Sequence, residues 1–277
     1  MNSLVSVIIP CFNSAPFIQQ AVASLWAQTY QNLEIILVDD GSVDNTPALI
    51  NDLLRVPSKC LIRTIHQNNS GVAVARNSGI AIATGEYILP LDADDLLHPL
   101  AIEACLTALK NKPTAQLVFF DRQDFGDSSL RWKAGSFELA RLKFFNQLSY
   151  CVLYRRTLWQ SIGGYRLNVS GFDDWDFWLA AALQNTQSCY LPEAYLLHRR
   201  HSHSQLWGLL PRYEELYSKI ILNNGEAFTN AEKALAETFL ITGESTSFLR
   251  ASRFLFLGTY YPPSLKTEIH AHIDHWS

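Results

Sequence analysis

The run Gly85-Glu86-Tyr87-Ile88-Leu89-Pro90-Leu91-Asp92-Ala93-Asp94-Asp95 passes from an apolar, strand-like stretch straight into three carboxylates within four positions. Burying unpaired charges there would be costly, so the pattern suits a held cation. In an extended segment alternate side chains share a face, which predicts Asp92 and Asp94 pointing one way and Ala93 and Asp95 the other. Two hard oxygen ligands on one face at a strand end suit Mg²⁺ or Mn²⁺ held jointly with phosphate oxygens. A solvated acidic turn is the competing explanation, because Asp-rich turns are common after strands.

Other chemistry-bearing residues lie in similar places. Asp39-Asp40 ends the run Glu34-Ile35-Ile36-Leu37-Val38 and leads into Gly41-Ser42, where a glycine permits a tight turn beside a ligand. Helix capping or turn formation is the plain alternative for either aspartate, with Ser42 and Asp44 nearby. Arg76 and Asn77 interrupt a small, apolar helical pattern; an arginine near a crevice engages phosphate or orients a carboxylate, and otherwise decorates an exposed face. Downstream, Asp173, Asp174 and Asp176 interleave with Trp175, Phe177 and Trp178. Apolar surroundings favour a carboxylate strong enough as a base to accept a proton from a substrate hydroxyl in the transition state. Capping accounts for one aspartate there, not for three. Finally, His198-Arg199-Arg200-His201-Ser202-His203-Ser204 follows an apolar strand. Arginine forks and an imidazole could close over a diphosphate, or the segment is a solvated loop.

The elements that must position these groups alternate strand and helix. Strands are predicted at Val5–Ile9, where Pro10 stops the run, at Glu34–Val38, at Leu61–His66 and in the segment leading to Asp92. Helices are predicted over Ala15–Gln28, Thr46–Leu54 and Gly71–Thr84, the last with an Ala-rich face suited to close packing. Continuous hydrophobic strands separated by helices imply an α/β fold with a largely parallel sheet covered on both sides, and ligands collect at the carboxyl ends of such strands. Both Asp39-Asp40 and Asp92-Asp94 sit at such ends. After about Gln205 the pattern turns helical, over Pro211–Leu222, Asn230–Leu240 and Ser245–Leu257, which predicts a helical extension spanning 206–277.

Composition narrows the function classes. A chain of 277 residues with 48% hydrophobic and 17% charged side chains buries a large core. A net charge of −4 and a pI near 6.1 argue against an overall affinity for nucleic acid. The five cysteines are dispersed and form no C-x-x-C pair, as expected of core residues in a reducing compartment rather than a zinc site. No secretory pattern precedes Leu4–Phe12, and no run approaches the ~18 apolar residues of a membrane span. A cytoplasmic protein, touching a membrane peripherally at most, is expected.

Taken in order, Val5–Asn13, Val38–Thr46, Gly71–Asn77 and Leu91–Asp95 resemble successive signatures of the family-two glycosyltransferases. The match continues through Asp173-Asp174 and Arg199-Arg200-His201, covering about the first three quarters of the chain. The resemblance implies a GT-A fold over residues 1–205, a nucleotide-diphosphate sugar donor, UDP by preference, and inverting transfer with Mn²⁺ or Mg²⁺. Carried over by position, Pro10, Phe12 and Asn13 border the nucleotide pocket, and Asp40 contacts the base. Asp92 lies near ribose and metal, and Asp94 is the metal ligand. Asp174 matches the catalytic base, with Asp173 where the family often has Glu, a shorter arm of the same charge. His201 matches a histidine near the diphosphate or metal, with His203 as its competitor. Arg76, Arg199 and Arg200 are the basic groups expected around the phosphates. The acceptor implied is a cell-surface glycan or lipid-linked glycan. A non-catalytic nucleotide-sugar-binding module and a D-x-D phosphatase are the alternatives.

Overall fold

The computed structural model describes residues 3–57, 60–200 and 209–260 of the chain. His201 and His203 lie outside the described residues. The first half follows the predicted alternation: β1 (Val5–Cys11), α1 (Ile18–Trp26), β2 (Leu33–Asp40), α2 (Thr46–Arg55), β3 (Leu61–Gln67), α3 (Val72–Ile82) and β4 (Tyr87–Pro90). Next come β5 (Leu96–Leu97), α4 (Ala101–Asn111), β6 (Ala115–Gly126), β7 (Arg131–Trp132), α5 (Leu139–Leu142), β8 (Leu153–Arg155) and α6 (Arg156–Ile162). The chain continues through α7 (Asp173–Leu183), β9 (Gln187–Arg200), α8 (Tyr213–Asn223), α9 (Asn230–Thr242) and α10 (Ser247–Tyr260).

Among the described residues one sheet forms, in the order β3-β2-β1-β4-β8-β6-β9-β5, with β7 paired to β6. The β3-β2-β1-β4 half is parallel throughout. β8 enters antiparallel between β4 and β6, and β9 returns parallel to β6. Strand β1 runs past Pro10, contrary to its expected stop. The Ile8 carbonyl faces β4 and accepts from Leu91 N–H. Pro10, two residues on, points the same way but beyond the last β4 pairing at Ile8, so its missing N–H costs no ladder bond.

Strand alternation divides the core into two layers. Val5, Val7, Ile9, Ile35 and Leu37 pack on α1, α2 and α4, while Ile8, Ile36, Val38 and Ile88 pack on α3, α6, α7 and α8. The Ala-rich face of α3 sits as close as expected, since a Cβ at Gly79 would lie 2.6 Å from Ile8 Cγ2. Tyr213, Tyr217, Ile220, Ala236 and Leu249 of the C-terminal helices belong to the same core as Trp175 and Trp178 of α7, so that region extends the main core rather than building a separate one. No described helix is long and apolar enough to cross a membrane.

Candidate active site

Strand β4 ends at Pro90, so Asp92–Asp95 is not extended; it forms a turn in which Asp95 N–H donates to the Asp92 carbonyl at 3.1 Å. The expected division of faces survives. Asp92 and Asp94 stay partly open, whereas Ala93 and Asp95 are buried. Asp95 is the anchor of the turn: its Oδ2 accepts from Tyr150 OH at 2.5 Å and its Oδ1 from Arg199 N–H at 2.7 Å. Burial and the charges of Asp94 and Asp92 push the Asp95 carboxyl well above the usual range, against those two hydrogen bonds. The Tyr150 hydroxyl also accepts from Asp92 N–H at 3.2 Å, fixing the turn from both ends.

Arg76, with 5% of its side chain exposed, joins this turn to the start of α7. Its Nη2 donates to Asp92 Oδ1 at 2.8 Å and its Nη1 to Asp173 Oδ2 at 2.7 Å, while the guanidinium lies over the rings of Tyr150 and Tyr165. Burial alone would ease its proton off; the Asp92 and Asp173 charges outweigh that and hold it firmly cationic. Of the two roles open to it from sequence, Arg76 takes that of orienting carboxylates. Asp173 closes its own loop by accepting from Gly171 N–H at 3.0 Å.

Asp174, next in the chain, faces elsewhere. Its Oδ2 accepts from Asn146 Nδ2 at 2.8 Å and its Oδ1 from Trp175 N–H at 2.8 Å, yet it remains partly exposed. Burial, then the Asp173 charge, push its carboxyl up to about 7, with Arg76 pulling the other way. That value is suited to accepting a proton near neutral pH. Trp175, Phe177 and Trp178 are buried core residues, not a substrate platform.

At the end of β2 the two aspartates divide their work. Asp39 accepts from Ser42 N–H at 3.1 Å and lies 3.1 Å from His66 Nδ1. Asp40 accepts from Gln67 Nε2 at 2.7 Å, Ser70 N–H at 2.9 Å and Gly71 N–H at 2.8 Å, leaving about one of the roughly four acceptor sites of a carboxylate. Gly41 does need its freedom, at φ +75°, but the close approach is to Asn69 N, 2.6 Å from where a Cβ would stand. Just ahead of α2, Asp44 accepts from Thr46 N–H in a local turn, and the N-cap Asn45 makes no side-chain cap bond. Asn13 ties two loops together: its N–H donates to Ser42 Oγ and its Oδ1 accepts from Val43 N–H. Phe12 beside it is 49% exposed, a free aromatic face at the carboxyl end of β1. Burial and the charges of Asp39 and Asp92 both raise the Cys11 thiol, so the two acidic motifs flank the end of β1.

The basic segment is strand, not loop, up to Arg200, and its residues therefore alternate. Arg199 donates from Nε to the Asp94 carbonyl at 2.8 Å and from Nη2 to Gln20 at 2.7 Å, between the rings of Phe17 and Phe125. Arg200 donates to Asp124 Oδ2 at 3.1 Å, with His198 3.4 Å from the same carboxylate. Tyr150 and Asn146, which steady the turn and the candidate base, escaped sequence reasoning. The only signal for them is a polar break in an otherwise apolar and aromatic stretch, Phe144–Val152.

The donor set fits a hard divalent cation. Among the described residues no cluster of three or more His, Cys, Asp or Glu side chains is formed that could cage an ion. Burial raises the Asp92 carboxyl and the neighbouring Asp94 charge raises it further, against Arg76, a like-charge repulsion that a cation would relieve. One or two carboxylates sharing an ion with substrate phosphates is the usual Mg²⁺ arrangement.

A family model described as glycosyl transferase family 2 matches residues 6–170. The chain is 36% identical over 129 residues to the glycosyltransferase GlyG of Streptococcus pneumoniae serotype 4, a span of 46% of this chain and 42% of that one. It thus spans less than half the length of that relative. The fold is similar to that of Staphylococcus aureus TarS 1-349 in complex with UDP-GlcNAc, with TM-score 0.69 and 18% identity, covering 95% of this chain and 77% of that one. It is also similar to the mannosyltransferase PcManGT of Pyrobaculum calidifontis in complex with GDP-Man and Mn²⁺, with TM-score 0.63 and 18% identity, covering 98% and 79%.

Proposed function

The chain belongs to glycosyl transferase family 2, and from that premise we propose that it moves a hexosyl group from a nucleotide-diphosphate sugar, a UDP-sugar, to an acceptor hydroxyl with inversion. The observation that carries the proposal is the Arg76 bridge, which ties the Asp92 turn to Asp173 and so sets Asp174, raised to about 7, beside the donor motif. Asp174 removes the acceptor proton as the oxygen attacks the anomeric carbon from the face opposite the diphosphate. The new C–O bond forms as the bond to the diphosphate breaks, and an α-linked donor gives a β-linked product. Asp173 acts through Arg76, as a positioning residue.

On the nucleotide side, Asp40 offers its remaining acceptor site to a base N–H, with Phe12 and Pro10 bordering the ring and Asn13 holding the loop. Asp94, with Asp92, would hold Mn²⁺ or Mg²⁺, which when bound neutralises charge on the leaving diphosphate. Arg199 supports the diphosphate side by fixing the Asp94 carbonyl, whereas Arg200, one residue on in β9, is turned to Asp124. UDP-GlcNAc and GDP-Man in the structural neighbours support a nucleotide-diphosphate sugar donor. The acceptor is a cell-surface or lipid-linked glycan, met at the cytoplasmic face of a membrane. A D-x-D phosphatase would need Asp92 as a free nucleophile, whereas Arg76 holds that carboxylate.

Two experiments test this. Asp94→Asn exchanges an anionic oxygen ligand for an amide and is expected to abolish the Mn²⁺-dependent part of UDP-sugar affinity in calorimetry without unfolding the protein; unchanged Mn²⁺-dependent affinity would remove Asp94 from the site. For pH, Asp174 works only when deprotonated, so kcat/KM should rise through about 7 and level off above it. Asp173→Asn deletes a like charge and should move that rise to lower pH. A rise unmoved by Asp173→Asn would assign it to another group.

A further inference from the structure

The first turn of α7 carries a third carboxylate that the transfer does not use. Asp176 is 1% exposed and accepts from Arg166 Nη1 at 3.2 and 3.1 Å, from Asn223 Nδ2 at 3.1 Å and from Asn224 Nδ2 at 2.8 Å. Arg166 Nη1 also donates to Asn224 Oδ1 at 3.0 Å, and Asn224 Nδ2 to the Ile220 carbonyl at 3.0 Å. Burial raises the Asp176 carboxyl, and Arg166 with the two asparagines pulls it back. Such a buried ionic cluster is weak as a source of stability compared with apolar packing, but it is directional. On the neighbouring side of the turn, Trp175 stacks on Tyr217 of α8 at 5.4 Å and 16°, and its Nε1 donates to the Leu142 carbonyl at 2.6 Å. Phe172 meets Tyr213 edge-on at 5.7 Å. The turn that presents Asp174 is thus held through α8.

We propose that α8 is a positioning element of the active site: the Asp176–Arg166–Asn223–Asn224 cluster and the Trp175–Tyr217 stack set the rotation of α7, so that Asp174 faces the crevice while Asp173 meets Arg76. This rests on Asp174 being the base. Successive helical residues are about 100° apart, and with side chains some 5–6 Å from the axis a 20° rotation moves a carboxylate by about 2 Å. Misplacement of a reacting group by ~1 Å can cost about 10²-fold in rate. The first described helix of the predicted extension thereby positions the turn that carries Asp174.

The test uses Asn224→Ala and Asn224→Ser in the full chain, with folding checked by near-ultraviolet circular dichroism. Transfer should lose about 10²-fold in kcat while the donor KM changes less than about twofold, a split that general loosening of the fold would not produce. In parallel, the Asp174 side-chain ¹³C resonance is titrated in the absence of substrate. The groups facing it are Asp173, Arg76 and Tyr165. Its midpoint should move from about 7 toward the ordinary carboxylate value as water gains access. Folded variants with wild-type kcat and an unmoved Asp174 titration would overturn the proposal. So would unfolding of both variants, since the cluster would then hold the fold rather than aim the helix. A wild-type protein that transfers no sugar, with an Asp174 titration that still moves in the variants, would sink the base role and leave the positioning intact.

Discussion

Asp174→Asn is expected to lower transfer by ~10²–10⁴ while leaving donor and metal binding within about twofold. Asparagine keeps the shape and its single Oδ1 can still accept from Trp175 N–H, although its amide nitrogen then meets the Asn146 Nδ2 donor, and it cannot take up the acceptor proton. The loss should appear in kcat, and should not be recovered at any pH, because no titrating group remains at that position. The comparison needs folded protein and an authentic acceptor, since slow donor hydrolysis would mask it. Near-wild-type transfer by Asp174→Asn, with loss in Asp173→Asn, would exchange the two roles.

Arg76→Gln is expected to be the most damaging change to stability near the site. It leaves Asp173 buried without its cation and Asp92 facing Asp94 without compensation. Breaking a buried pair in this way costs about 3–5 kcal/mol, tempered at Asp92, whose side chain is one-third exposed. Arg76→Lys should rescue little, since one ammonium cannot reproduce a fork that spans two carboxylates. A fall in the urea midpoint equivalent to under ~1 kcal/mol would show that the bridge matters little. Because Arg76 also lowers the Asp174 carboxyl, its removal should push the pH dependence of any surviving activity upward.

How much of this was legible depended on whether the signal was local. Strands β1 to β4 and helices α1 to α3 were read correctly to within a few residues, because β1, β2 and β4 are buried on both faces as continuous apolar runs, the half-exposed edge strand β3 still carries Leu61, Ile62 and Ile65, and the helices between them keep their period. The C-terminal helices were visible for the same reason. Strand β6 was not read, its Asp121–Gly126 half being mostly polar, and β9 was read only as an apolar strand ending before His198, with Pro192 within its irregular register against β6. Ending that strand before His198 also hid the alternation that sends Arg199 to Asp94 and Arg200 to Asp124.

For the site itself, Asp92, Asp94 and the Asp173–Asp174 pair were chosen from motif and spacing. The bond that unites them was not visible, since Arg76 meets Asp92 across 16 positions and Asp173 across 97. Nothing in a helical pattern says which distant carboxylate a lone arginine will reach. Asn146, Tyr150 and Asn224 were invisible for the same reason, each being a single polar side chain whose meaning comes from what folds against it. The three aspartates of α7 were rightly judged too many for capping, and the structure gives each a different partner.

The most direct test is to follow the anomeric protons by NMR while the protein, Mn²⁺ and an α-linked UDP-sugar are incubated with an acceptor, or with water alone in its place. Single displacement assisted by Asp174 predicts that the β-anomer of the product accumulates first, before any mutarotation of free sugar. First accumulation of the α-anomer would contradict it, as would tight nucleotide-sugar binding with no turnover across a panel of donors and acceptors.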